Sequence, residues 1–119
     1  MNQNTNQMTK VIKNELFESL SQMEFNTRET LILLQHNKSV YWSWGVEKLC
    51  NYYNKGIAMI VNGHHHKGIV YIRLSWDDTY SYFLINDNGT IKKSVDNIYF
   101  DELQNSIDND IEYINTYSK

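Results

Sequence analysis

Two Asn-Gly pairs, Asn62-Gly63 and Asn88-Gly89, each stand between runs rich in β-branched and aromatic residues. Both residue types tolerate the positive φ that a two-residue type I′ turn demands, so each pair predicts a β-hairpin. This is the tightest constraint in the chain, because two hairpins in succession commit it to an antiparallel sheet. At the first turn the expected register pairs Val61 with His64, Ile60 with His65 and Met59 with His66. The returning strand then runs to about Ser75, with Val70, Ile72 and Leu74 on the same face as Ile57, Met59 and Val61. Trp76-Asp77-Asp78 reads as the next turn, and Asn88-Gly89 joins Thr79–Asp87 to Thr90–Val95.

Upstream, Thr30–Gln35 is apolar on both faces and reads as a central strand. His36-Asn37-Lys38 reads as a turn into a strand over Val40–Trp44, with Val40, Trp42 and Trp44 on one face. A further strand follows over Val46–Cys50. The period is helical at the two ends. Ile12, Leu16, Leu20 and Met23 recur at i+4 and i+3 spacing, predicting a helix from Thr9 to near Phe25. Leu103, Ile107, Ile111 and Ile114 line one face of a second helix, with Asp101 and Glu102 favourably placed at its N-terminal end. Residues 1–8 lack apolar periodicity and read as a mobile tail. Residues 9–119 read as a single α+β domain: an N-terminal helix, a five- or six-stranded antiparallel meander and a C-terminal helix. Both helices are expected on the sheet face that carries most Val, Ile and Leu. Ile60, Ile69, Tyr71, Phe83 and Ile85 on the other face then need a cover from a helix or a partner.

A chain of 119 residues is long enough for one domain with its own core. Its single cysteine, Cys50, excludes an internal disulfide framework and fits a reducing compartment. The longest apolar runs, Leu31–Leu34 and Ile57–Val61, are far too short for a membrane span. With no apolar segment near the N-terminus, the expected location is the cytoplasm. Net charge is −3 but unevenly spread: residues 28–95 carry about +3 and residues 96–119 about −5. A uniformly basic nucleic-acid binder is thereby disfavoured.

Residues that carry chemistry are few. On the expected strand His64 and His66 share a face, which is half a zinc site, but no third ligand stands at a recognised spacing. No metal and no cofactor is expected. Cys50 follows Lys48-Leu49 with no recognisable family signature around it and reads as a packing residue. Asp77 and Asp78 are adjacent in a turn, and the five glycines form no phosphate-binding loop. No catalytic residue is assigned and an enzyme is the weakest class. Two binding surfaces remain. Asp101, Asn105, Asp108 and Glu112 follow i, i+4, i+7, i+11 spacing and form an acidic stripe, able to compete for Lys and Arg side chains that otherwise hold nucleic acid. Trp42 and Trp44 are candidate aromatic anchors for a protein partner if exposed. The alternative is a single-stranded RNA or DNA binder that uses tyrosines and lysines interleaved along the sheet.

The motifs Trp44-Gly45, Val61-Asn62-Gly63, His66-Lys67-Gly68, Asp78-Thr79-Tyr80 and Tyr99-Phe100-Asp101-Glu102-Leu103 with Ile107-Asp108 resemble small uncharacterised proteins of phages and integrated elements in Bacteroidota-type genomes. These are turn and packing positions over about residues 40–115, so the resemblance implies a shared fold and supplies no active site. Mobile-element proteins of this size include anti-defence factors, among them anti-CRISPR inhibitors. By class membership, the resemblance implies a non-catalytic inhibitor in the host bacterial cytoplasm. Its partner would be a host defence protein such as a Cas effector nuclease, or that effector's guide RNA. Asp101, Asp108, Glu112, Trp42 and Trp44 would make the contact, and a homodimer stays open.

Overall fold

The computed structural model describes residues 14–112. The N-terminal tail expected over residues 1–8, the start of the first helix and Ile114 lie outside the described residues. Five strands form one antiparallel meander in the order β1-β2-β3-β4-β5: Lys48–Tyr52, Gly56–Asn62, Lys67–Leu74, Tyr80–Ile85 and Ile91–Ile98. Helices precede and follow the sheet, which makes the fold α+β. Helix α1 spans residues 14–20, α2 Thr27–Leu34, α3 Lys38–Ser43 and α4 Leu103–Ile111, the last entered through a 3-10 turn at Phe100–Glu102.

Strand alternation gives the sheet two apolar faces, and each face has its own cover. Ile57, Met59, Val61, Val70, Ile72, Tyr82 and Leu84 pack against α2, α3 and α4 through Leu34, Tyr41, Leu103, Ile107 and Ile111. Tyr52, Ala58, Ile69, Tyr71, Phe83 and Ile85 pack on the other side with Phe17 of α1, flanked by Leu16 and Leu20. The Phe17 ring stacks on Tyr71 at 4.5 Å and meets Tyr52 edge-on at 5.7 Å. The N-terminal helix therefore does not share a face with the C-terminal one, contrary to expectation. Removing each large side chain from water stabilises by roughly 1.5–3 kcal/mol, and the second face carries enough of them to hold a helix of its own. Arg73 fixes the end of α1, where its Nη1 donates to the Leu20 carbonyl at 2.8 Å. A cation there opposes the negative end of the helix dipole.

The strands expected over Thr30–Gln35 and Val40–Trp44 are helices, and the sheet has five strands, the smaller of the two expected numbers. Two asparagines decide this. The Asn26 side chain accepts from Glu29 N at the start of α2, and Asn37 accepts from Val40 N at the start of α3. N-capping and burial of Thr30 and Leu34 four residues apart outweigh the β preference of the Ile and Val residues. The consequence for the tryptophans is direct. On a strand, residues i and i+2 share a face, whereas on a helix they point about 200° apart. Trp42 is accordingly 74% exposed, and Trp44, at the end of α3, is wholly buried.

The first expected hairpin exists with a different turn. Val61 pairs with Gly68, Ile60 with Ile69 and Met59 with Val70, leaving Gly63–His66 as the connection. Gly63 N donates to His66 O at 3.0 Å. Neither Asn62 nor Gly63 has positive φ; Tyr53 and Asn54 in the β1–β2 turn do, at 50° and 58°. Gly63 is required for another reason, because a Cβ there would stand 2.5 Å from the Ile111 carbonyl of α4. The other two turns are built alike. Ser75 N donates to Thr79 O and Asn86 N to Thr90 O, both at 2.8 Å, each closing three residues. The third turn residue, Asp78 or Gly89, has φ of 67° or 89°. Oδ1 of the middle residue, Asp77 or Asn88, accepts from both the backbone N and the hydroxyl of the following threonine.

Candidate interaction surface

Helix α4 presents its apolar stripe to the sheet, and its carboxylates divide between internal anchors and open surface. Asp108 Oδ1 accepts from the Trp44 indole Nε1 at 2.9 Å. Glu112 Oε1 accepts from His64 N at 2.8 Å. Both expected contact residues thus tie α4 to the rest of the domain, Asp108 to the end of α3 and Glu112 to the β2–β3 turn. Trp44, buried and bonded to Asp108, is a core residue and presents no surface to a partner. Of the five residues singled out in the sequence, Asp101 and Trp42 are the exposed ones.

Asp101 lies in the 3-10 turn beside Phe100, which is 66% exposed. The two line a groove of about 220 Å³ with Leu33 and His36 on one side and Gln104 and Asn105 on the other. The groove is held open by a clamp at its base. Gln104 is buried, and its Nε2 donates to the carbonyls of Leu34 at 2.8 Å and Asn37 at 2.9 Å, while its Oε1 accepts from Asn37 N at 3.2 Å. One side chain of α4 therefore satisfies the end of α2 and the start of α3 together, groups that would otherwise need water. A second opening, about 450 Å³, runs from Trp42 past Tyr41 and Val46 to Lys48 and Leu49 at the edge of β1. Sequence reasoning missed Phe100 as a surface aromatic and Gln104 as a clamp. Tyr99-Phe100 next to Asp101-Glu102, two aromatics abutting two acids at a helix start, was the available signal for the first; nothing marked the second.

Asp110, which is off the expected stripe, is engaged by two partners. It accepts from the Tyr82 hydroxyl at 2.6 Å and pairs with Lys93 at 2.7 Å, and Ser106 Oγ lies 2.7 Å from the same hydroxyl. Burial and the adjacent carboxylate push Tyr82 well above the ordinary tyrosine range. Tyr71, bonded to Ser21 at 2.6 Å, is pushed up to about 12 by burial. Tyr80, bonded to Thr30 at 2.7 Å, is shifted the same way, again by burial. These tyrosines fill the cores between sheet and helices and offer no ring for a base to stack on, whereas Tyr53 and Trp76 at the turns stay exposed.

The histidine run lies in the turn and not on a strand. His64 and His65 are exposed, whereas His66 is buried with its Nε2 3.1 Å from Ile69 O. A carbonyl only accepts, so Nε2 carries the proton, and burial pushes the ring's pKa down. Among the described residues no three His, Cys, Asp or Glu side chains are gathered to hold a metal ion. Cys50 is exposed on β1. No helix among the described residues is long and apolar enough to cross a membrane. Comparison with protein-family models, curated proteins and solved structures returned no match.

Proposed function

We propose that this chain is a non-catalytic interaction protein whose contact surface is the outer side of the helical layer, centred on Phe100 and Asp101. The observation that carries the reading is the groove itself: an exposed aromatic ring and an exposed carboxylate share a concave, mostly apolar site beside the Gln104 clamp. Aromatic anchors beside a charged rim suit a partner that offers a basic side chain next to an apolar one. Trp42, exposed on α3 beside a separate opening, is a second contact on the helical layer. Taken with the resemblance to mobile-element proteins, the concrete form is an anti-defence inhibitor acting in the host bacterial cytoplasm. It would bind a nucleic-acid-guided nuclease such as a Cas effector where that protein's basic residues hold its guide RNA.

The test is phage plating on a CRISPR-immune host that expresses the chain. Expression restores plating of the targeted phage, and Asp101→Lys or Phe100→Ala abolishes the effect with the folded protein still present. Full protection by both folded variants would overturn the assignment of this groove. The same assay with Trp42→Ala decides whether α3 belongs to the surface.

A further inference from the structure

A separate cavity of about 320 Å³ opens where β3 turns into β4 and β5 bends away, against the end of α1. Its lining includes Gln22, Arg73, Ser75, Trp76 and two carboxylates, Asp77 and Asp96; Oδ1 of Asp77 is taken up by Thr79. Arg73 is held in place from three directions. Its Nη1 donates to Leu20 O, its Nε donates to Ser75 Oγ at 3.3 Å, and its Cζ sits 5.2 Å over the Phe83 ring. Beside it, Asp96 Oδ1 stands 3.8 Å from Nη2, beyond hydrogen-bond length, and the Asp96 side chain is 61% exposed. A fixed donor and an acceptor thus face the cavity side by side. Trp76 forms the rim. Its backbone N is tied to Gln22 Oε1 at 2.9 Å, yet the residue is 71% exposed.

The mix of charges narrows the ligand. An anion attracted to Arg73 meets Asp77 and Asp96, and a cation attracted to these carboxylates meets Arg73. A flat, neutral ligand with acceptors next to donors along one edge satisfies both and stacks on the indole. Guanine has this edge: N7 and O6 accept, then N1–H and the 2-amino group donate. Arginine on O6 and N7 is the commonest specific contact to this base, and a carboxylate takes the two donors that follow. Aromatic rings stack bases of any kind, so the discrimination lies with Arg73 and Asp96. We infer that the Arg73–Trp76–Asp96 cavity is a guanine-binding site, occupied by the base of a nucleotide or of a single strand.

Titration calorimetry and tryptophan fluorescence, with guanosine, adenosine and inosine monophosphates and the oligonucleotides UUGUU and UUAUU, test this. Guanosine monophosphate or UUGUU binds and quenches Trp76, and the adenine counterpart binds at least about tenfold more weakly. Inosine monophosphate, which lacks the 2-amino group, is weakened to a similar degree. Trp76→Ala, a change at an exposed position, removes binding, and Asp96→Asn removes the preference for guanosine over inosine monophosphate. Equal affinity for guanosine monophosphate and UUGUU assigns the site to the base of a free nucleotide. An oligonucleotide bound more than tenfold more tightly assigns it to a single strand. No binding of either guanine probe, equal binding of the guanine and adenine probes, or unchanged binding by Trp76→Ala overturns the proposal.

Discussion

Gln104 and Asn37, 67 residues apart, exchange two hydrogen bonds: the Gln104 amide donates to the Asn37 carbonyl and accepts from the Asn37 N–H. A third bond from the same amide reaches Leu34 O. Gln104→Ala leaves these backbone groups facing a buried gap. At about 1–3 kcal/mol for a buried group left unsatisfied, the variant should lose roughly 2–3 kcal/mol, read as a lower urea midpoint with an unchanged m-value. Gln104→Glu keeps the acceptor and loses both donations, so it should be no more stable than alanine.

The carboxylates of the C-terminal region separate by role. Asp101→Lys should leave thermal stability within about 0.5 kcal/mol, as expected at an exposed site. Asp108→Lys removes the acceptor of a buried indole and should cost about 2 kcal/mol, with a change in Trp44 emission. A triple reversal that includes Asp108 and Glu112 therefore confounds binding with folding, and Asp101 alone is the clean probe. Circular dichroism melts of the two single variants decide it.

Gly56 faces the Tyr71 ring so closely that a Cβ would stand 2.0 Å from its hydroxyl oxygen. Gly56→Ala must displace a wholly buried, stacked tyrosine and should cost about 3 kcal/mol or more. Gly89→Ala, where the demand is a φ of 89° on an exposed turn, should cost about 1 kcal/mol. Equal costs at the two positions would show that backbone conformation and not packing governs Gly56.

His66 ties stability to pH. Burial holds its pKa below the ordinary 6.5, so below about pH 6.5 the unfolded chain takes up a proton that the folded chain refuses. The His66 contribution is fully present above that value and is lost as pH falls toward the depressed one. Urea midpoints between pH 7.5 and 5 should decline, and His66→Gln should flatten the decline. An unchanged slope in the variant would assign the proton uptake to another group.

The sheet faces were legible in the sequence even where the register was not. The expected pairing of Val61 with His64 is off by four residues from the observed pairing with Gly68. An even slip keeps every side chain on its face, so Val70 and Ile72 still join Ile57 and Met59. The apolar spacing of Leu103, Ile107 and Ile111 likewise gave α4 its buried side. Helix α2 was missed because Leu-Ile-Leu-Leu is apolar in either period, and α3 because Val40, Trp42 and Trp44 alternate like a strand; the decisive signals were single caps, Asn26 and Asn37. The site was harder to read. Whether a carboxylate such as Asp108 faces solvent or an indole depends on Trp44, 64 positions away, and no local pattern reports that distance. Of the acidic stripe only Asn105 and Asp108 lie within α4: Asp101 falls in the 3-10 turn before it and Glu112 just past its end. Asp108 and Glu112 point at neighbours that only the tertiary fold supplies.

The meander has a kinetic meaning. Every strand pairs with the next one along the chain, across connections of three to five residues. Hairpins of this kind form in microseconds and close loops at small entropic cost, so the sheet can extend one strand at a time. The slow event is the return of α4 over the first face, where Gln104 must find Asn37 and Asp108 must find Trp44 across more than half the chain. A nascent chain released before α4 has docked would carry a completed sheet with an unsealed core, and that interval is when it is most exposed to aggregation and proteases.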